Sequence, residues 1–427
     1  MMKRSIPVPR LTVAKSLAPE PGKTALVLAG GGIAGGVYEL GALRALDEIL
    51  LNRTVNDFDI YVGTSAGALI AAGLANGLSP QRLFEAVNGD HPEIAPVMGR
   101  DLLSFDRRGL LGRTASWPRQ LFEAGRHYWS NADDLSLLDL FWSVLGMMPA
   151  ALYNSDSLEK YVRQLFTEVG GTNEFTHLLP ELDLIATDLQ SSERAIFNRE
   201  ETPDVPVSQA VAASSAVPLL YRPVHIGGRR YVDGAVRGNA SVDLAVERGA
   251  SLVVCINPLA PEAQHADKVV EEPHNMQAVV NQVFRTIFHA NLHYHIKHLA
   301  RLHPEVDFVV VEPAEDDLVM SQQNIMRYSP RQNVFEHAYQ SVSLHLALNH
   351  GIYSSMLAHH NIPVAPRLSA ESLEGLAAHD YDKGVLQQEL ARQQSLSYRS
   401  GGSSMVSSLA RRLGELELAV EQLRPAS

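Results

Sequence analysis

A serine flanked by glycines has the clearest chemical potential in this chain. Gly63, Ser65 and Gly67 form a G-x-S-x-G pentapeptide between the mostly apolar run 58–62 and the alanine-rich run 68–75. This order predicts a strand, a sharp turn and a helix, with the glycines allowing the backbone to expose the serine hydroxyl. The helix N-terminus would then face developing negative charge. The pentapeptide therefore favours Ser65 as a nucleophile, although a tight Gly-Ser turn without chemistry fits the same letters.

A glycine-rich turn lies upstream, between a predicted buried strand over 24–29 and a helix from about residue 37 to residue 50. Its glycines are Gly30, Gly31, Gly32, Gly35 and Gly36. Such turns expose backbone N–H groups, which can hold a phosphate or stabilise the oxyanion of an acyl transfer. A Walker A loop is excluded because no Gly-Lys-Ser/Thr follows, and the dinucleotide fingerprint fits only loosely. The serine turn one β-α unit later favours the oxyanion interpretation.

An aspartate much later in the chain supplies a third group. Asp233 is predicted to end a short strand and is followed by Gly234. A carboxylate in that position can approach a serine hydroxyl, but Asp-Gly also makes an ordinary hairpin turn. The combination of the three motifs carries more weight than any one of them.

In this order, the motifs resemble the patatin-like phospholipase family. The matching segments are 30–35, 63–67 and 233–235, supported by the stretches 186–189 and 213–218. The resemblance spans about residues 23–257. It implies an α/β fold, specifically a three-layer α/β/α sandwich of the patatin type, here with a helical insertion and a C-terminal helical extension. It also implies hydrolysis of lipid acyl esters by a Ser-Asp dyad.

The resemblance assigns a role to each matched residue. Ser65 is the implied nucleophile, Asp233 accepts its proton, and the N–H groups of Gly31 and Gly32 form the oxyanion hole. The reaction would pass through an acyl-enzyme, which water activated by the same aspartate releases. No metal and no organic cofactor is expected. The glycines that support the motifs are Gly30, Gly35, Gly63, Gly67 and Gly234.

One position departs from the family pattern. Ala34 stands where the family usually carries Arg or Lys, so the backbone donors are retained but a positive charge is missing. The expected substrate is a phospholipid or lysophospholipid. A neutral-lipid lipase or a transacylase is the alternative within enzymes. From another class, the chain could be an inactive lipid-binding or scaffolding protein that keeps the fold.

The histidines raise two competing hypotheses. A Ser-His-Asp triad would need a histidine late in the chain, but none is predicted to follow a strand with the expected surroundings. The candidates are His337, His345, His350, His359 and His360. A metal site would need the cluster His289, His293, His295 and His298. The first two can share a helix face, but no carboxylate lies between His289 and His298, so a polar helix face is predicted instead.

Composition is typical of a globular intracellular enzyme. The 427 residues are 45% hydrophobic and 20% charged, enough for a large core. The net charge of −12 argues against general nucleic-acid binding. The lone Cys255 lies in an apolar run and is expected in a core strand. Neither a signal-peptide core nor an apolar run of about 18 residues is present, so a cytoplasmic location with peripheral membrane contact is expected.

Three consecutive parts are predicted along the chain, and the second of them contains an insertion. Residues 1–22 form a flexible lead, 23–365 the catalytic domain, and 366–427 a linker with a C-terminal helix. Within the domain, 91–158 is a helical insertion that either covers the active site as a lid or packs as a subdomain. This insertion holds all three tryptophans, Trp117, Trp129 and Trp142.

The C-terminal segment is predicted to contact the core, a membrane or a second chain, in addition to the contacts that the active site makes with its lipid substrate. Five apolar residues at helical spacing predict an amphipathic helix there: Leu409, Leu413, Leu416, Val420 and Leu423. It would dock on the core, touch a membrane transiently, or pair with a second copy of the chain as a homo-oligomer. Its mixed charges favour a protein surface over lipid.

Overall fold

A nine-stranded sheet forms the centre of the described chain. The computed structural model describes residues 10–14, 22–89, 151–261, 276–314, 317–321 and 331–364, with the single positions 385 and 388. The strands of this sheet are β1 Arg10–Ala14, β2 Lys23–Leu28, β3 Ile60–Thr64, β5 Glu181–Asp188, β6 Arg194–Phe197, β8 Val224–Ile226, β9 Arg229–Asp233, β10 Ala250–Ile256 and β11 Asp307–Glu312. Two further strands, β4 Ala151–Tyr153 and β7 Leu219–Tyr221, pair separately.

The order across the sheet is β1-β11-β10-β2-β3-β5-β9-β8, with β6 also paired to β5. The central strands β11, β10, β2, β3 and β5 run parallel. Their carboxyl ends therefore meet at one edge, where open α/β sheets bind their ligands. Antiparallel β9 returns along β5 and brings its own last residue, Asp233, opposite Ala186.

Helices cover both faces of this sheet. They are α1 Gly32–Ile49, α2 Ala66–Ala75, α3 Pro80–Asn88, α4 Asp156–Glu168, α5 Val207–Ser214, α6 Val242–Glu247, α7 Met276–Leu302, α8 Leu318–Ser321, α9 Arg331–Leu348 and α10 His350–His359. Short 3₁₀ turns lie at Val55–Asp57, Phe175–His177 and Gly234–Val236.

Alternating side chains of the buried strands build two separate cores. In β2, Leu26 and Leu28 point into the core shared with α1, α2 and α9, whereas Ala25 and Val27 point into the core shared with α6 and α7. Because strand side chains alternate with period two, a strand buried on both faces reads as one continuous apolar run. The α/β fold with its three-layer α/β/α arrangement is thereby confirmed.

Several local predictions need correction or remain outside the described residues. The helical run 334–357 is divided into α9 and α10 at Asn349, the N-cap of α10, whose side-chain amide and backbone N–H both donate to the His345 carbonyl. The segment expected as a flexible lead contains edge strand β1, which pairs antiparallel with β11. The three tryptophans of the insertion and the segment predicted as a C-terminal helix lie outside the described residues. Among the residues described, no helix has the length and apolar character to cross a bilayer.

Candidate active site

Ser65 occupies a strained turn between β3 and α2. Its backbone has φ 56° and ψ −122°, a positive φ that L-residues rarely adopt, and it is the N-cap of α2. The turn requires residues without a side chain at both motif positions. A Cβ on Gly67 would overlap the Leu28 carbonyl, and a Cβ on Gly63 would lie 2.6 Å from the Ala68 Cα. The motif glycines thus let α2 approach β2 closely. Strain of this kind clusters at functional sites.

The Asp233 carboxylate lies directly beside this serine. The Ser65 hydroxyl donates to Asp233 Oδ2 at 2.5 Å, and both residues are buried although they are 168 positions apart. Asp233 ends β9, and its other oxygen accepts the Ala235 N–H at 2.8 Å. Gly234 follows because a Cβ there would overlap the Ile185 carbonyl. The two side chains that the sequence predicts as a pair are therefore in contact.

Burial makes the Asp233 carboxyl a better base than an exposed aspartate. Desolvation raises its pKa to about 6, and the hydrogen bonds from Ser65 and the Ala235 N–H oppose the rise without cancelling it. A pKa near 6 leaves the group ionised at neutral pH. It then binds a proton more strongly than an ordinary carboxylate, as proton abstraction from a hydroxyl requires.

The glycine-rich turn lies against the same serine. Gly30 donates its N–H to the Asn239 carbonyl, and a Cβ on Gly30 would come within 3.1 Å of the Ser65 Cβ. Gly31 is the N-cap of α1, and Gly32, at φ 62°, is its first residue. The N–H groups of a helix's first turn have no acceptor within the helix. Gly31 and Gly35 both pack on Pro258, where a side chain would not fit.

Two serines with no predicted role support the backbone of Ser65. Ser214 Oγ accepts the Ser65 N–H at 2.9 Å and donates to the Ile185 carbonyl at 2.5 Å. Ser215 Oγ donates to the Ser65 carbonyl at 3.2 Å. The matching stretch 213–218 indicated that this segment was informative. The two contacts themselves span 149 and 150 positions, which no local pattern reveals.

The late histidines do not reach this site. His337 binds Asp317 at 2.7 Å and His345 binds the Tyr353 hydroxyl at 3.0 Å, so both pack within the protein. His350 and His359 lie elsewhere on α10. None of these contacts involves Ser65 or Asp233.

His360 does form a Ser-His-Asp cluster, but with a different serine. It lies 2.9 Å from Asp307 and 3.2 Å from Ser251 Oγ, and its side chain is fully buried. Ser251 and Asp307 lie at the amino ends of β10 and β11, which is the sheet edge opposite Ser65. Ser251 Oγ also accepts the Gly22 N–H at 2.9 Å. This cluster joins chain segments at the far edge and lacks the strained turn that exposes Ser65.

Comparison with known proteins gives one family match. The model of the family described as Patatin-like phospholipase matches residues 26–246. A relative from Invertebrate iridescent virus 6, described as "Probable lipid hydrolase 463L", is 23% identical over 54% of this chain and 66% of its own length. The match thus spans just under two thirds of that viral protein. "Uncharacterized protein YqhO" of Bacillus subtilis (strain 168) is 26% identical over 57% of this chain and 73% of its own length. Among solved structures, VipD from Legionella pneumophila overlaps with a TM-score of 0.34 and 17% identity, covering 100% of this chain and 85% of VipD.

Proposed function

The chain belongs to the patatin-like phospholipase family, whose model covers residues 26–246 of its 427, and from this premise we propose that it hydrolyses the acyl esters of lipids through Ser65. The observation that carries the proposal is the 2.5 Å hydrogen bond from the strained Ser65 to the buried Asp233. A serine hydroxyl becomes a useful nucleophile only when a base within hydrogen-bond distance accepts its proton.

The proposed reaction uses these groups in two steps. Ser65 Oγ attacks the ester carbonyl carbon while its proton passes to Asp233, and the carbonyl oxygen becomes an oxyanion. The N–H groups of Gly31 and Gly32 stabilise this oxygen, an effect worth on the order of 100-fold or more in turnover for one such donor. The intermediate collapses to an acyl-enzyme, and the leaving alcohol takes the proton from Asp233. Water then attacks the acyl carbonyl carbon while Asp233 takes its proton, the bond to Ser65 Oγ breaks, and the proton passes to Ser65 Oγ as the fatty acid leaves.

A phospholipid or lysophospholipid is the proposed substrate. The viral relative's description as a lipid hydrolase is consistent with a lipid ester. Ala34 favours a second candidate, a neutral-lipid ester, because this buried methyl group adds no positive charge to the loop that would face a head group. Product analysis of mixed phospholipid and triacylglycerol vesicles separates the two candidates.

Covalent labelling with a fluorophosphonate tests the proposed nucleophile. We expect the wild-type chain to label and Ser65→Ala to lose labelling and ester hydrolysis, since alanine fits the same turn. Ser251→Ala is the matched control because Ser251 belongs to the Ser-His-Asp cluster at the opposite sheet edge. It should label and turn over like the wild type. Loss of labelling in Ser251→Ala with retention in Ser65→Ala would overturn the proposal, and absence of labelling in the folded wild type would favour a binding protein.

A further inference from the structure

Three potential metal ligands meet between helix α7 and the end of strand β11. His293 Nε2 lies 2.7 Å from Glu312 Oε2, and His289 Nδ1 lies 3.2 Å from Glu312 Oε1. One ligand atom from each residue can be chosen so that all three atoms lie within 4.8 Å of one another. We infer that His289, His293 and Glu312 form a binding site for a divalent transition-metal ion of the zinc class. The inference does not depend on the proposed hydrolase activity.

The ligand set and its spacing suit such an ion. Zinc binds imidazole nitrogen and carboxylate oxygen at about 2.0–2.2 Å in tetrahedral geometry, which places neighbouring ligand atoms about 3.3 Å apart. The observed separations of 2.7 and 3.2 Å need only small side-chain adjustments to accept the ion. The two histidines occupy positions i and i+4 of one helix, and their ring centroids are 4.1 Å apart. Two imidazoles and one carboxylate would leave a fourth position for water.

The surroundings resemble those of a supported metal ligand. Glu312 is 1% exposed, and its Oε1 accepts a hydrogen bond from Asn257 Nδ2 at 2.7 Å. Ligating carboxylates are commonly fixed by such outer hydrogen bonds. The side chains of His289 and His293 are 18% and 14% exposed, which gives an ion a path to the buried carboxylate.

Other histidine-carboxylate contacts in the described chain differ from this one. His337 meets Asp317 and His360 meets Asp307, with one imidazole for each carboxylate. Within the described residues, the group of three potential ligands is His289, His293 and Glu312. In the sequence, no carboxylate lies between His289 and His298. The carboxylate comes instead from the neighbouring strand, and the exposed His295 and His298 lie outside the cluster.

The site is connected to the turn beside Ser65. Asn257, which donates a hydrogen bond to Glu312, also accepts one from Asn239 Nδ2 at 3.1 Å. The Asn239 carbonyl in turn accepts the Gly30 N–H at 3.1 Å. An ion at Glu312 would therefore brace the end of β10 and, through the two asparagines, the glycine-rich turn. We assign it a structural role, with no part in bond making.

Zinc titration of the full chain tests the site directly. After dialysis against a chelator, the wild type should bind one equivalent of Zn²⁺ in competition with a chromogenic chelator, and its Tm should rise with added Zn²⁺ because the ligand binds the folded state. Co²⁺ in place of Zn²⁺ should give the visible absorption of a tetrahedral site. His293→Gln and Glu312→Gln should each weaken binding by more than 100-fold, beyond the range of about 10- to 100-fold for loss of an outer partner.

His303→Gln is the matched control, because His303 is an exposed histidine paired with exposed Glu305 just beyond α7. It should bind Zn²⁺ like the wild type. Equal binding by wild type and His293→Gln, or no binding by the wild type, would overturn the inference and leave the cluster as a hydrogen-bonded group of side chains. If Glu312→Gln fails to fold, His293→Gln decides, since that partly exposed ring can be changed with less damage.

Discussion

Asp233 has opposite effects on stability and on chemistry at the residue scale. Its folded pKa of about 6 lies above the ordinary value of 3.8, so folding favours its protonated form. The resulting loss of stability is absent below about pH 4, develops as pH rises from about 4 to 6, and is complete above that. With about 1.4 kcal/mol for each pKa unit, the shift corresponds to about 3 kcal/mol at neutral pH. The ionised form of Asp233, which carries this loss of stability, is also the form that can accept a proton.

Asp233→Asn should therefore stabilise the protein while lowering its activity. The amide cannot accept the serine proton, and loss of a general base costs about 10²- to 10⁴-fold in turnover. Thermal melts at pH 7 should show a higher Tm than the wild type, and the difference should vanish at pH 4. A lower Tm at pH 7 would mean that the ionised carboxylate makes stabilising contacts that outweigh its burial.

The same carboxyl sets the expected pH dependence of hydrolysis. Because Asp233 must be ionised to act, kcat/KM on a soluble ester should fall about tenfold for each pH unit below about 6. Circular dichroism over the same range checks that the fold persists. A rate that stays flat to pH 4.5 in folded protein would rule out a base with this raised pKa.

At the scale of elements, the close approach of α2 to β2 fixes the position of Ser65, the proposed nucleophile. Gly67 is the second residue of α2, and its missing side chain lets the helix N-terminus contact the Leu28 carbonyl. The helix therefore begins directly after Ser65, and its first-turn N–H groups and the positive end of its dipole lie beside that residue.

Gly67→Ala should displace this helix. Overpacking of this kind typically costs about 1–3 kcal/mol, and a shift of about 1 Å at the nucleophile can lower turnover on the order of 100-fold. Gly351→Ala is the matched control, because Gly351 is the second residue of α10 and a Cβ there meets nothing within 4 Å. That variant should be neutral or slightly stabilised, by up to about 1 kcal/mol. Chemical denaturation and turnover of both variants provide the comparison, and equal behaviour would contradict the role of close helix approach.

At the scale of the whole molecule, the two edges of the parallel sheet hold different clusters of polar side chains. The carboxyl edge gathers Ser65, Asp233 and the glycine-rich turn. The amino edge holds His360, which follows α10, against Asp307 at the start of β11, with both side chains fully buried. This contact ties the end of the described helical layer to the sheet, far from the proposed chemistry.

His360→Ala should destabilise the protein without changing the chemical step. Removing the buried ring deletes its hydrogen bond to Asp307 Oδ2 and leaves a cavity, and large-to-small changes of this kind typically cost about 2–5 kcal/mol. The neighbouring exposed residue gives the control His359→Ala, expected to unfold like the wild type. Urea unfolding measures the loss, and kcat measured well below the Tm should be unchanged. A folded His360→Ala variant without turnover would instead implicate the Ser251 cluster.

The sequence by itself determined the features that depend on nearby residues. The glycines around Ser65 predict a strand-turn-helix because only glycine fits the close approaches that follow, and the apolar runs of β2 and β10 predict strands buried on both faces. Motif order then identified the family, since the matching positions follow one another along the chain.

Tertiary structure alone decided which distant side chains meet. Ser65 and Asp233 come into contact because antiparallel β9 pairs Asp233 with Ala186 of β5, level with the end of β3, and no local pattern encodes a contact across 168 positions. Burial in that packed arrangement also sets the pKa of Asp233. Tertiary packing likewise decides the position of Glu312. Its strand, β11, places the carboxylate beside His289 and His293 of α7, the helix that precedes β11 in the chain. Local spacing limits backbone conformation, whereas contacts and electrostatics depend on how all the layers pack together.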